Sequence, residues 1–123
     1  MLNKLEVLAD AIAYYHKAHE PDSVAYQLRN PGKLKAISPK HPRTEEGFRL
    51  FNSYLDGYQA LLFDLKIKCQ GRSRATIVES NLNGLLQSYG QPQAAAKYIA
   101  RQITKALKQE IRANEALTFF LGV

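Results

Sequence analysis

The chain has 123 residues, 46% of them apolar, and 17 Lys and Arg against 11 Asp and Glu, for a net charge of +6. That length fits one domain, residues 1–123, able to bury a core without covalent staples, and the single cysteine excludes an intramolecular disulfide. No stretch nears the ~18 apolar residues of a membrane span, and the charge favours anionic partners.

The start, Met1-Leu2-Asn3-Lys4-Leu5-Glu6, lacks the charged start and unbroken apolar core of a signal peptide, so no secretion signal is expected. Asn3 and Glu6 have the spacing of a capping box, and Leu5, Leu8, Ala9, Ile12 and Tyr15 or His16 share one helical face. Pro21 biases Glu20 away from helical angles, which predicts an end to this first helix near Ala18 or His19. Residues 21–47 hold four of the five prolines and read as a long irregular loop or short β-wing. Gly47-Phe48-Arg49-Leu50-Phe51 then reads as a short extended piece.

Ser53 and Asp56 predict the cap of a second helix running to about Cys69, with Leu55, Tyr58, Leu61, Leu62 and Leu65 as its apolar positions. Cys69 falls in that apolar pattern and is expected to be a packed small side chain. Gly71 is a natural stop. Thr76 and Glu79 predict the cap of a third helix that turns Leu82, Leu85, Leu86 and Tyr89 inward and ends at Gly90-Gln91-Pro92. A fourth helix carries Ala94, Ala95, Tyr98, Ile99, Ile103 and Leu107, its alanines predicting a close helix contact. The tail, Leu117-Thr118-Phe119-Phe120-Leu121, is apolar and is expected to dock on the core or on another chain, including a second copy.

No Walker loop or zinc spacing is present. His16 and His19 stand three apart on one helix without a third ligand, so neither a metal nor another cofactor is expected. The basic residues are spread along the chain, with mild concentrations at 33–43 and 97–112. A solvated basic surface follows, with weak, non-specific nucleic-acid binding.

The order of the short motifs resembles the small lysozyme-like, or lytic transglycosylase-like, proteins of phages and prophages. That family pairs an Ala-Ile-Ala helix ending in Glu-Gly with a Pro-x-Ser loop and an Asn-rich run into Asn-Pro-Gly-Asn-Leu. Gly-Phe-x-x-Phe, Gly-x-x-Ala-Leu and a Gly-Arg-Ser-Arg-like turn come next. Here the matching pieces are Ala11-Ile12-Ala13, Pro21-Asp22-Ser23, Asn30-Pro31-Gly32-Lys33-Leu34, Gly47-Phe48-Arg49-Leu50-Phe51, Gly57-Tyr58-Gln59-Ala60-Leu61 and Gly71-Arg72-Ser73-Arg74. The resemblance covers roughly residues 9 to 107 and implies a mainly α, lysozyme-like single domain.

The departures fall at chemical positions. The Glu-Gly pair is His16-Lys17, the Asn-rich run is Gln27-Leu28-Arg29-Asn30, and its last Asn is Lys33. Glycoside cleavage needs a proton delivered to the leaving oxygen as the sugar gains oxocarbenium character. An imidazolium repels that cation, whereas the carboxylate left by a glutamate attracts it. The resemblance therefore implies a degenerate site at His16, read first as a buried, hydrogen-bonded core residue, then as a relic glycan-binding site and last as a catalytic group, with Glu20 as the substitute acid and Glu45 or Glu46 across the presumed cleft. Asn30, Tyr58, Arg72 and Arg74 are the expected substrate contacts, Arg72 and Arg74 being suited to an anion such as a wall-peptide carboxylate or a phosphate. Tyr14, Tyr15, Tyr54, Tyr89 and Tyr98 are further aromatics able to line a sugar cleft.

Three functions stand at this point. The first is a silent descendant of a wall hydrolase, used as a structural or assembly component of a virion, with peptidoglycan or other virion proteins as partners. The second is an active peptidoglycan lytic transglycosylase or muramidase, and the third a basic nucleic-acid-binding module. The expected location is the virion, or the bacterial cytoplasm before assembly or lysis.

Overall fold

Short polar side chains start most of the helices. Asn3 Oδ1 accepts from the Glu6 amide at 3.1 Å and opens α1 (Lys4–Tyr15). Ser23 Oγ accepts from Tyr26 at 3.0 Å and opens α2 (Val24–Gln27), a one-turn helix inside the expected irregular loop. Ser53 Oγ does the same for Asp56 at 3.1 Å, opening α3 (Tyr54–Cys69). Asn81 Oδ1 accepts from Gly84 at 2.9 Å and opens α4 (Leu82–Ser88). The last long helix, α5 (Gln93–Leu107), follows Pro92, and a 3₁₀ turn occupies Leu117–Leu121. This computed structural model describes residues 3–71 and 81–122 and is mainly helical. Thr76 and Glu79 lie outside the described residues.

The end of α1 differs from the expectation drawn from Pro21. His16 is the C-cap, and Lys17 takes the left-handed conformation at φ 57°. The Lys17 amide donates to Tyr14 O and the Ala18 amide to Ala13 O, both at 3.0 Å, which is the paired closure of a Schellman motif. Ala18 then packs with Ala13 and Ala25. The helix thus stops at Tyr15, five residues before Glu20.

The turn at Asn30-Pro31-Gly32 is built into α3. A Cβ on Gly57 would lie 2.1 Å from Arg29 O and 2.9 Å from Pro31 Cδ. A Cβ on Gly32 would lie 2.6 Å from Leu61 Cδ1. Two glycines 25 positions apart, one in the turn and one on α3, serve a single close approach, and Pro31 and Gly32 are buried beneath it. Downstream, isolated antiparallel bridges Lys35–Phe48 and Arg43–Arg49 hold the loop before α3.

The core lies between α1, α3, α4 and α5. Leu8, Leu61, Leu65, Leu82, Leu85, Ile99 and Ile103 are fully buried. Ala95, Ala96 and Ala100 give α5 a small-residue face, and α1 packs on this helix. Ala94, expected inward, is exposed, and so is Leu55 at 61%. The tail completes the core: Leu117 and Phe120 are buried, the 3₁₀ turn contacts α1 and α3, and the Lys4 ammonium sits 4.1 Å from the Phe119 ring centroid. Where α3 ends, buried Lys68 pairs with Asp64 at 3.0 Å and lies 3.7 Å from the Tyr89 ring centroid, while the Tyr89 hydroxyl donates to Asp64. Burial pushes the Cys69 thiol up to about 11, consistent with a packed side chain. No helix among the described residues is long and apolar enough to cross a membrane.

Candidate functional site

The Schellman closure of α1 leaves His16 at the mouth of a cleft of about 400 Å³ lined by Tyr15, His16, Lys17, Val24, Ala25, Lys33 and Gln91. Four segments meet there: the end of α1, the start of α2, the turn after Asn30, and the link between α4 and α5. Burial, then the nearby Lys33 ammonium, lowers the His16 pKa to about 4. The ring is therefore neutral at physiological pH. Gln91 Nε2 lies 3.4 Å from His16 Nε2.

Every charged side chain in the lining is a lysine. Lys17 and Lys33 are both left-handed, at φ 57° and 49°. That conformation costs a residue with a Cβ about 1–2 kcal/mol, a cost that glycine escapes and asparagine tolerates better. The three positions at which the chain departs most plainly from the resembled pattern, His16, Lys17 and Lys33, are thus three of the seven residues of this cleft. In the resembled pattern they read Glu, Gly and Asn. Where the resembled pattern has one carboxylate and two uncharged residues, this cleft has a neutral imidazole and two ammonium groups.

Other expected contacts fall elsewhere. Glu20 sits in the turn after α1, where its amide donates to Lys17 O at 2.9 Å, and its carboxylate lies 4.0 Å from His19 Nε2. It is not part of the cleft lining. Asn30 is fully buried: Nδ2 donates to Leu34 O at 3.0 Å and Arg49 O at 2.9 Å, and Oδ1 accepts from the Leu34 amide at 2.9 Å. Its side chain staples the turn that presents Lys33 and offers no surface to a ligand. The Tyr58 hydroxyl donates to Asp10 Oδ1 at 2.7 Å, and burial and that carboxylate raise its pKa. Asp10 lies six residues before His16 on α1, about 9 Å along the axis, so Tyr58 and Tyr54 belong to a separate face. Among the expected aromatics Tyr15 alone lines the cleft, backed by Tyr98 at 5.5 Å between ring centroids.

Arg72 and Arg74 lie outside the described residues. Glu45 and Glu46 are exposed in the bridged loop, and the Glu46 carboxyl is held below its ordinary value chiefly by hydrogen bonds to its own backbone and to Thr44. His16 and His19 diverge, His16 toward Gln91 and His19 stacked on Tyr14 at 4.8 Å. Gln91 had no signal in sequence, because it reaches His16 from 75 positions away.

One surface feature departs from the expected scatter of charge. Lys97, Arg101, Lys105 and Lys108 follow one another at spacings of four, four and three along and just beyond α5, and all are exposed. They share one helical face. Their spacing is visible in the sequence itself.

The chain matches no protein-family model, no curated protein and no solved structure.

Proposed function

We propose that the protein is a lysozyme-like domain of phage or prophage kind that has kept a glycan-sized cleft and lost glycan cleavage, and that it serves as a structural or assembly component of a virion. One observation carries this reading: the residue at the end of α1, where the chemistry needs an acid, is a neutral histidine in a cleft whose charged lining is lysine alone. With a pKa of about 4, His16 carries its proton in roughly one molecule in a thousand at neutral pH. In that rare state it would oppose the oxocarbenium ion rather than stabilise it. Lys17 and Lys33 add to this repulsion. Glu20, the nearest acid in sequence, belongs to the turn outside the lining.

The test is incubation of purified protein with peptidoglycan sacculi. No anhydro-muropeptides and no loss of turbidity are expected, while the protein sediments with the sacculi. Turnover that disappears in Glu20→Gln would overturn the reading in favour of an active transglycosylase. The α5 stripe supports a second reading, a basic module on an acidic polymer. A salt titration against a labelled DNA duplex separates the two, since purely electrostatic contacts weaken steeply by ~150 mM salt.

A further inference from the structure

The chain holds no Asp or Glu between Glu79 and Glu110, and four cations fall inside that stretch: Lys97, Arg101, Lys105 and Lys108. Folding lines them up. α5 turns Ala95, Ala96, Ile99, Ala100 and Ile103 into the core and packs on α1 and α4, which fixes its opposite face outward. Lys97, Arg101 and Lys105 stand on that outer face within an arc of about 80°. Lys108 continues the line just past the helix end, and all four are exposed. Among the described residues none of the four pairs with a carboxylate. An ordinary protein surface intersperses the two signs.

The neighbouring side chains narrow the occupant. No large apolar side chain is exposed on α5, and Tyr98, its one aromatic, is half-buried beside Tyr15. A protein interface concentrates aromatic anchors and is poor in lysine. A helix lying in a membrane surface needs exposed apolar side chains to insert. Single-stranded nucleic acid is held by stacking on exposed aromatics. The outer face of α5 supplies none of these groups. It supplies charges in a row, about 16 Å from Lys97 to Lys108 at the rise of a helix. Duplex nucleic acid carries one phosphate charge per ~1.7 Å, so roughly ten phosphates pass that length.

We propose that the outer face of α5 docks on the phosphate backbone of duplex nucleic acid through Lys97, Arg101, Lys105 and Lys108, without reading base sequence. The helix is sunk in the core on its other side, so it lies against the backbone rather than entering a groove. This inference rests on the reading of the chain as a basic module on an acidic polymer, and it assigns both the surface and the polymer.

The test is a salt titration of the full chain on a labelled DNA duplex, repeated with the matching single strand and with phosphatidylserine vesicles. Two triple variants are compared. Lys97→Gln with Arg101→Gln and Lys105→Gln clears the stripe. Lys40→Gln with Lys66→Gln and Arg112→Gln removes the same charge from exposed positions elsewhere. Both should melt as the wild type does, since all six side chains are at the surface.

Wild-type affinity for the duplex is expected to fall with salt at a logarithmic slope of about −3.6, from four phosphate contacts. The stripe variant should lose about 2.7 of that slope and bind at least about tenfold more weakly at ~50 mM salt, while the other variant keeps the slope. Duplexes of different sequence should bind alike. Equal weakening by both variants overturns the inference and leaves a basic module of diffuse charge. Absence of binding to every probe at ~50 mM salt ends that reading as well. Tighter binding to the single strand, or vesicle binding with the same dependence on the stripe, overturns duplex as the occupant.

Discussion

Lowering the pH sets the His16 ring against its surroundings. In the unfolded chain it takes a proton near 6.5, and in the folded cleft only near 4. Between those values the unfolded state binds more protons than the folded state, so stability rises with pH across this window and is lost as pH falls through it. At about 1.4 kcal/mol for each pH unit, the interval from 6.5 to about 4 corresponds to about 3 kcal/mol, fully present at pH 7 and gone near pH 4. For a domain stabilised by ~5–15 kcal/mol this is a large share.

The assay is urea unfolding at several pH values for the wild type and for His16→Gln, which cannot titrate but keeps an acceptor for Gln91. The wild type is expected to lose about 3 kcal/mol more than the variant between pH 7 and 4. His41, whose pKa is also lowered by desolvation and then by Arg49 and Arg43, is present in both proteins and cancels in the comparison. Parallel stability curves for the two proteins would refute the account, because they would place His16 in an environment no different from water.

Gly57→Ala gains helix propensity, yet its Cβ would stand 2.1 Å from a backbone oxygen that the buried turn cannot easily withdraw. A net loss of about 3 kcal/mol is expected from overpacking, read as a lower urea midpoint, and a variant as stable as the wild type would dissolve the proposed union of turn and helix. Phe120→Ala empties a fully buried position and should cost about 3–5 kcal/mol. Leu121→Ala, at a residue 40% exposed, should change the melting temperature little.

What was legible in sequence was local. Asn3 and Ser53 announced their helices because a cap needs only the next three residues. The end of α1 was misplaced because Pro21 is visible as a breaker, while the left-handed backbone at Lys17 is not what a lysine advertises. One-turn α2 is too short to show a period. Leu55 counts as apolar in any pattern, yet α3 turns Gly57, Leu61 and Leu65 inward and leaves it outside. Asn30 reads in sequence as a ligand contact, whereas its side chain is fully buried within its own turn. Its partners, Leu34 O and Arg49 O, are carbonyls that no side-chain pattern reveals. The cleft itself required Gln91 to meet His16, a proximity created by packing of α5 against α1.

The tail at Leu117–Leu121 has a consequence for how the chain is made. Phe120 fills the space beside α1 and α3, helices that end 105 and 51 positions earlier in the chain. During synthesis, α1, α3, α4 and α5 leave the ribosome before the residue that plugs them. Until then the nascent domain holds an open apolar slot between its first and third helices, and that slot is a natural target for a holding chaperone. Closure is then a late event of long sequence separation, which favours slow completion over early collapse. A stalled chain ending before Leu117 should remain chaperone-bound, and extension through Phe120 should release it.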